Sequence, residues 1–228
     1  MKFFSADGKF YKFISSLWDI IKLNFLWLVC SLPIITIGAS TIAAFTITLQ
    51  IVEEKEGYVA RSFFKAFKEN FKQGMAIGPI TILFLAVVYM DFCLSDQTFY
   101  LVVGIISAFL FSLALVYTFP LLARYTNTLF KTIRNSMRIA LRYMGRTLLM
   151  IVLCVGEVVV FRLTYITLVI GILVGPICIM LTVSAFSLAL FRTIEKEGGV
   201  VRKKTEEDEY NEQIEKETEE ALKREHIQ

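Results

Sequence analysis

A single histidine, His226, serves all 228 residues. It stands in the charged tail, so triads with an imidazole base and zinc sites of the usual kind are not expected. No Walker P-loop and no dinucleotide fingerprint occurs. The four cysteines, Cys30, Cys93, Cys154 and Cys178, lie in or beside apolar segments and form no CxxC pair. They read as small packing residues, not as a disulfide framework or a metal site. The sequence therefore offers no catalytic, cofactor-binding or metal-binding residue, and the expectation is a protein that is no enzyme and holds no cofactor.

Charge is also missing, over long stretches. Residues 163–191 run 29 positions without one, 23–52 run 30, and 97–123 run 27. Shorter uncharged runs cover 73–90 and 147–156. About 18 or more mostly apolar residues suffice to cross a hydrocarbon core of ~30 Å as a helix. The hydrophobic fraction is 56 % and the mean hydropathy +0.61, above the ~45–50 % apolar usage of soluble domains. The first run starts late and is followed by acids, unlike a cleavable signal peptide. These features predict a polytopic membrane protein.

What charge there is lies in the connectors and the tail. Residues 1–194 carry 17 Lys+Arg against 9 Asp+Glu, whereas 195–228 carry 7 against 12. The reading is a basic membrane domain, 1–194, with an acidic cytoplasmic tail, 195–228. Connector 53–72 has five basic residues, and 124–146 has six and no acid. The link 91–96 has no Lys or Arg. The positive-inside rule places both basic connectors and the tail in the cytoplasm, and 91–96 outside. Lys2, Lys9, Lys12 and Lys22 argue for a cytoplasmic N-terminus as well.

A helix through all of 23–52 would be ~45 Å long, too long without strong tilt. Pro33 and Gly38 are natural punctuation within it. The expectation is two helices, 12–32 and 39–55, joined by a turn between Pro33 and Gly38; each is marginal as a span, and a re-entrant hairpin is the alternative. The fold class is then all-α: a polytopic membrane bundle of five to six transmembrane or half-spanning helices. They form three hairpins, 12–55, 73–123 and 147–191, with basic amphipathic cytoplasmic connectors.

In the first connector Arg61, Lys65, Lys68 and Lys72 share an arc of about 60° at ~100° per residue, with Phe63, Phe67 and Phe71 opposite. In the second, Lys131, Arg134, Arg138, Arg142 and Arg146 oppose Leu129, Ile133, Met137, Ala140 and Met144. An offset of 66 aligns Lys65 with Lys131 and Lys68 with Arg134, which suits either an internal repeat or two similar amphipathic helices. Beside membrane segments, the nearest polyanion is the anionic lipid of the inner leaflet. Nucleic acid is not expected.

Four places are candidates for a role. Glu157 lies 11 positions after Arg146, ~16 Å into the bilayer. A carboxylate there costs ~2.5–3.5 kcal/mol. It reads either as a proton, ion or substrate contact, or as a structural pair or hydrated group near the outer mouth; Arg162 does not share its helix face. Arg124 and Asn127 close the third apolar run, to anchor it or to bind neighbouring helix ends. Gly171, Gly175, Cys178, Thr182, Ala185 and Ala189 form a stripe of small residues that lets helices approach closely, within the chain or with another. All four prolines, Pro33, Pro79, Pro120 and Pro176, sit in apolar segments; they bend helices for packing or line a cavity.

Three stretches carry a resemblance: 26–43 (LWLVCSLPIITIGASTIA), 57–74 (GYVARSFFKAFKENFKQG) and 119–148 (FPLLARYTNTLFKTIRNSMRIALRYMGRTL). In order and spacing they resemble the YesL family of bacterial integral membrane proteins, over most of residues 1–192. The family has no established activity and no assigned catalytic residues. Its members are often encoded beside carbohydrate transporters and polysaccharide-degrading enzymes. The resemblance therefore implies an accessory or regulatory role near carbohydrate uptake, with a carbohydrate transporter complex as partner. The alternative is a small transporter or channel acting alone.

Overall fold

The computed structural model describes residues 9–55, 58–93 and 98–196, with Lys203 and Ile214 beyond them. The described part is helical and holds no strand. In chain order come α1 (Lys9–Ser31), a short 3-10 turn (Ile34–Thr36), α2 (Ile37–Val52), α3 (Val59–Glu69) and α4 (Phe71–Cys93). Then follow α5 (Thr98–Leu115), α6 (Thr118–Arg124), α7 (Leu129–Arg142), α8 (Met144–Arg162) and α9 (Tyr165–Lys196). Among the described residues, five stretches are long and apolar enough to cross a membrane: Ile34–Val52, Phe71–Asp91, Leu101–Arg124, Met144–Arg162 and Tyr165–Lys196. The protein is thus an all-α membrane bundle. Most of the acidic tail lies outside the described residues.

The uncharged runs become helices because every backbone N–H and C=O in lipid must be satisfied within the segment. Their outward faces stay apolar and exposed, as at Leu83, Val152 and Ile172, where they meet lipid. The core gathers around α2. Gly38, Ala39, Ile42, Ala43, Ala44, Ile47 and Leu49 are all buried there, and α2 packs against α1, α3, α4, α6 and α9. Its Thr48 hydroxyl lies 2.7 Å from that of Ser184 on α9, a polar tie between helices of the kind lipid favours.

The break at Pro33 is found where expected. The Thr36 hydroxyl closes it by donating to the Cys30 carbonyl at 2.7 Å. Gly38 lies just past the turn, inside α2. The third apolar run differs from expectation, since it splits into α5 and α6. Pro120 has no N–H for the Val116 carbonyl and its ring crowds it, and the helix breaks at Val116 and Tyr117.

The start of α2 crosses α4 closely. A Cβ on Gly38 would stand 2.1 Å from the Gly74 carbonyl oxygen and 2.8 Å from the Gly78 nitrogen. The start of α2 therefore lies on the first two turns of α4, in a backbone-to-backbone crossing that three glycines permit.

Candidate functional site

Arg124 ends α6, and its side chain is 6 % exposed. Its guanidinium spans two carboxylates. Nη1 donates to Glu53 Oε1 at 2.6 Å, while Nε and Nη2 donate to the two oxygens of Glu195 at 2.8 and 3.2 Å. The planar fork suits this bidentate geometry, which a lysine would not supply. Tyr125 adds its hydroxyl, donating to Glu195 Oε1 at 2.8 Å. Burial, and then the Glu195 acceptor, hold the Tyr125 phenol above its ordinary range.

Lys203 extends this clasp. Its backbone N–H donates to the Arg124 carbonyl at 2.9 Å. Its ammonium donates to Asn70 Oδ1 at 2.6 Å and to the Leu122 carbonyl at 2.7 Å. Burial lowers the pKa of that ammonium, partly offset by Glu69. Nearby, Gln73 donates to the Asn127 carbonyl at 2.9 Å. The ends of α2, α6 and α9, the start of α4 and one residue past α9 are thereby joined. Arg124 and Asn127 thus both hold neighbouring helix ends, Asn127 through its backbone.

Glu157 does not meet Arg162. Its Oε1 accepts a hydrogen bond from the Thr182 hydroxyl on α9. Its Oε2 is buried without a hydrogen-bond partner among the described residues. Arg162 ends α8 and is exposed. The small-residue stripe divides. Gly171 and Gly175 face Phe161 of α8: a Cβ would come within 2.8 Å of that side chain at Gly171 and 3.4 Å at Gly175. Ala185 and Ala189 are exposed. The upper stripe is therefore an intrachain contact between α8 and α9.

The face that α7 buries matches the expected one only in part: Ala140 is buried and Leu129 packs on the core, while Met137 is exposed. Thr132, Ser136, Ile139 and Ala140 turn inward. Phe130, at 88 % exposed, joins Met137, Leu141 and Met144 in an exposed apolar stripe beside the basic arc. On α3, Phe63 and Ala66 are buried and Phe64 and Tyr58 exposed.

Sequence reasoning missed Asn24, the glycine crossing, and the partners of Arg124. Gly74 and Gly78 are a GxxxG pair, which is a readable signal. The acids Glu53 and Glu195 each sit at the end of an apolar run, a signal that was also available. Among the described residues, no group of three or more His, Cys, Asp or Glu is placed to hold a metal ion.

A family model described as "Protein of unknown function, DUF624" matches residues 20–92, about a third of the chain. That span holds most of α1, all of α2 and α3, nearly all of α4, the glycine crossing and Glu53. No curated protein and no solved structure matches the chain.

Proposed function

We propose that the protein is a non-enzymatic, multi-pass component of the cell membrane that assists or regulates carbohydrate uptake by another assembly. The observation that carries this reading is the buried Arg124 clasp. It commits the polar groups at one end of the bundle to holding helix ends together, and through Lys203 it fixes the start of the acidic tail to them. This suits a platform that presents a tail to a partner. The carbohydrate setting comes from the YesL resemblance, with which the match over 20–92 is compatible. Anionic lipid of the inner leaflet is the surface for α3 and α7, and both termini are cytoplasmic. The test is affinity purification in mild detergent: subunits of a carbohydrate transporter co-purify with the full chain, and a chain that purifies alone with full uptake activity overturns the reading.

A second reading, a small transporter acting alone, draws on one observation. The Glu157 carboxylate sits between α8 and α9 with one oxygen buried and, among the described residues, without a hydrogen-bond partner. Intramembrane carboxylates of this kind often serve ion or substrate pathways.

A further inference from the structure

An apolar cavity of about 370 Å³ opens between α2, α4 and the α5–α6 stretch, with Val183 from α9. It lies where two prolines disturb its walls. Pro79 stands inside α4, two residues before Thr81. The break that Pro120 causes falls at Val116 and Tyr117, and Leu115, Val116 and Phe119 all line the cavity. Helices kinked or broken at proline do not close on a neighbour along their whole length. Thr81 and Val88 stand 10 and 17 residues into α4, ~15 and ~25 Å along it. The cavity is therefore at the depth of the hydrocarbon core. Four phenylalanines shape it: the rings of Phe84 and Phe111 stack at 3.7 Å, and those of Phe45 and Phe119 at 6.3 Å. Among the described residues, no charged side chain lines it. Its two hydroxyls are already engaged, since Thr81 donates to the Ile77 carbonyl and Ser112 to the Phe109 carbonyl, each at 2.8 Å. Leu85 lines the cavity and is 56 % exposed, so the cavity is continuous with the outward surface that meets lipid.

We propose that this cavity binds one hydrocarbon chain of a membrane lipid and selects it by its chain, not by its headgroup. At this depth the surrounding medium consists of such chains, and lipid gives them no hydrophobic drive to enter; packing alone decides. An empty cavity would leave the four rings without partner atoms on one side, and a seated chain restores those dispersion contacts. The volume is at the low end of the range for ligand sites, which suits a single chain and not a whole lipid. The lining offers neither a charge nor an unengaged hydroxyl donor to a headgroup. The inference rests on the membrane-spanning position of α4 and α5 and not on the uptake role, so either can fail without the other.

The full chain is reconstituted into vesicles that contain phosphatidylglycerol or phosphatidylcholine with a diazirine midway along one long acyl chain. After illumination, mass spectrometry maps the adducts. They should concentrate on lining residues such as Leu85, Val88 and Leu115, with the same pattern for both headgroups. Ala108→Trp fills the cavity and should lower these adducts by about fivefold or more. Adducts on the exposed face of α8, at Val152 and Val155, should not change. Should that variant fail to fold, Ser112→Leu fills less of the space and should still lower them by about twofold or more. Adducts spread evenly over α4, α5 and α8 overturn the proposal, and so does an unchanged pattern in the filled variant. A pattern that differs between the two headgroups overturns selection by the chain. A lining free of adducts, in a dimer that Ala108→Trp dissociates, makes the occupant a second copy and overturns the proposal as well.

Discussion

The side chain of Asn24 on α1 supplies what Pro176 removes from α9. A proline at 176 leaves the Ile172 carbonyl without its helical donor, and Asn24 Nδ2 donates to that carbonyl at 3.1 Å and to Leu173 at 2.7 Å. Proline is tolerated in a membrane helix when a neighbour takes the freed carbonyl, and here the neighbour is almost 150 residues away in sequence. Asn24→Ala should lower stability by about 1 kcal/mol, the scale of such bonds in membranes. Asn24→Ala/Pro176→Ala should recover much of it, because an alanine in place of the proline restores the backbone N–H. Thermal melts in detergent check this; a double variant as unstable as Asn24→Ala would show that the carbonyl needs no donor.

The glycine crossing predicts a contrast between glycines. Gly38→Ala drives a methyl into the Gly74 and Gly78 backbone, which cannot move aside as a side chain can. The overpacking cost of ~1–3 kcal/mol should exceed the ~0.5–1 kcal/mol that alanine gains over glycine within a helix. Gly145 and Gly156 face open space, so alanine there should be neutral or stabilising. Folded yield after detergent extraction separates the two classes, and equal yields would remove the crossing as a determinant of the fold.

Much of this architecture is legible in the sequence because its causes are local. Uncharged runs give the long helices, the 3.6-residue period gives α3 and α7, and Pro33 with its neighbours gives the first break. What is not legible depends on which distant segments meet. Gly38 reads as turn punctuation until Gly74 and Gly78 are beside it. Arg124 reads as an anchor or as a holder of neighbouring helix ends, and only the packed bundle shows that the ends are those bearing Glu53 and Glu195. The exposed stripe of α7 misleads for a further reason. In lipid, apolar residues need not face the core, so Thr132 and Ser136 turn inward while Phe130 and Met137 turn out.

The clasp predicts both a mutational and an alkaline sensitivity. Arg124→Gln leaves Glu53, with a side chain 9 % exposed, without its guanidinium but with Lys55 at 3.9 Å, so the cost should stay below the about 3–5 kcal/mol of a buried charge left alone. The raised Tyr125 phenol stays protonated in the fold at a pH where an unfolded tyrosine, near 10, ionises. Its contribution is complete below about pH 10 and is lost as pH rises above it. The lowered ammonium of Lys203 acts in the opposite sense over the alkaline range. The difference in Tm between the natural chain and Tyr125→Phe should therefore shrink above about pH 10. A difference that is constant from pH 8 to 11 would contradict this account.

The N-terminal lysines predict the side on which the chain begins. A cysteine at Ser5→Cys, in a chain cleared of its other cysteines, should resist a membrane-impermeant thiol reagent applied to whole cells, while Ser95→Cys should react. Labelling at position 5 from outside would place the N-terminus outside and make 23–52 a single crossing, five in all.

The role of an accessory component is tested most directly by solute uptake into proteoliposomes that contain only the purified chain. Flux of monosaccharides and disaccharides should be no higher than in protein-free vesicles, and unchanged by Glu157→Gln at any pH from 5 to 8. Saturable uptake by the natural chain alone, abolished by Glu157→Gln with folded yield intact, would contradict it and make the carboxylate bound to Thr182 part of a transport path.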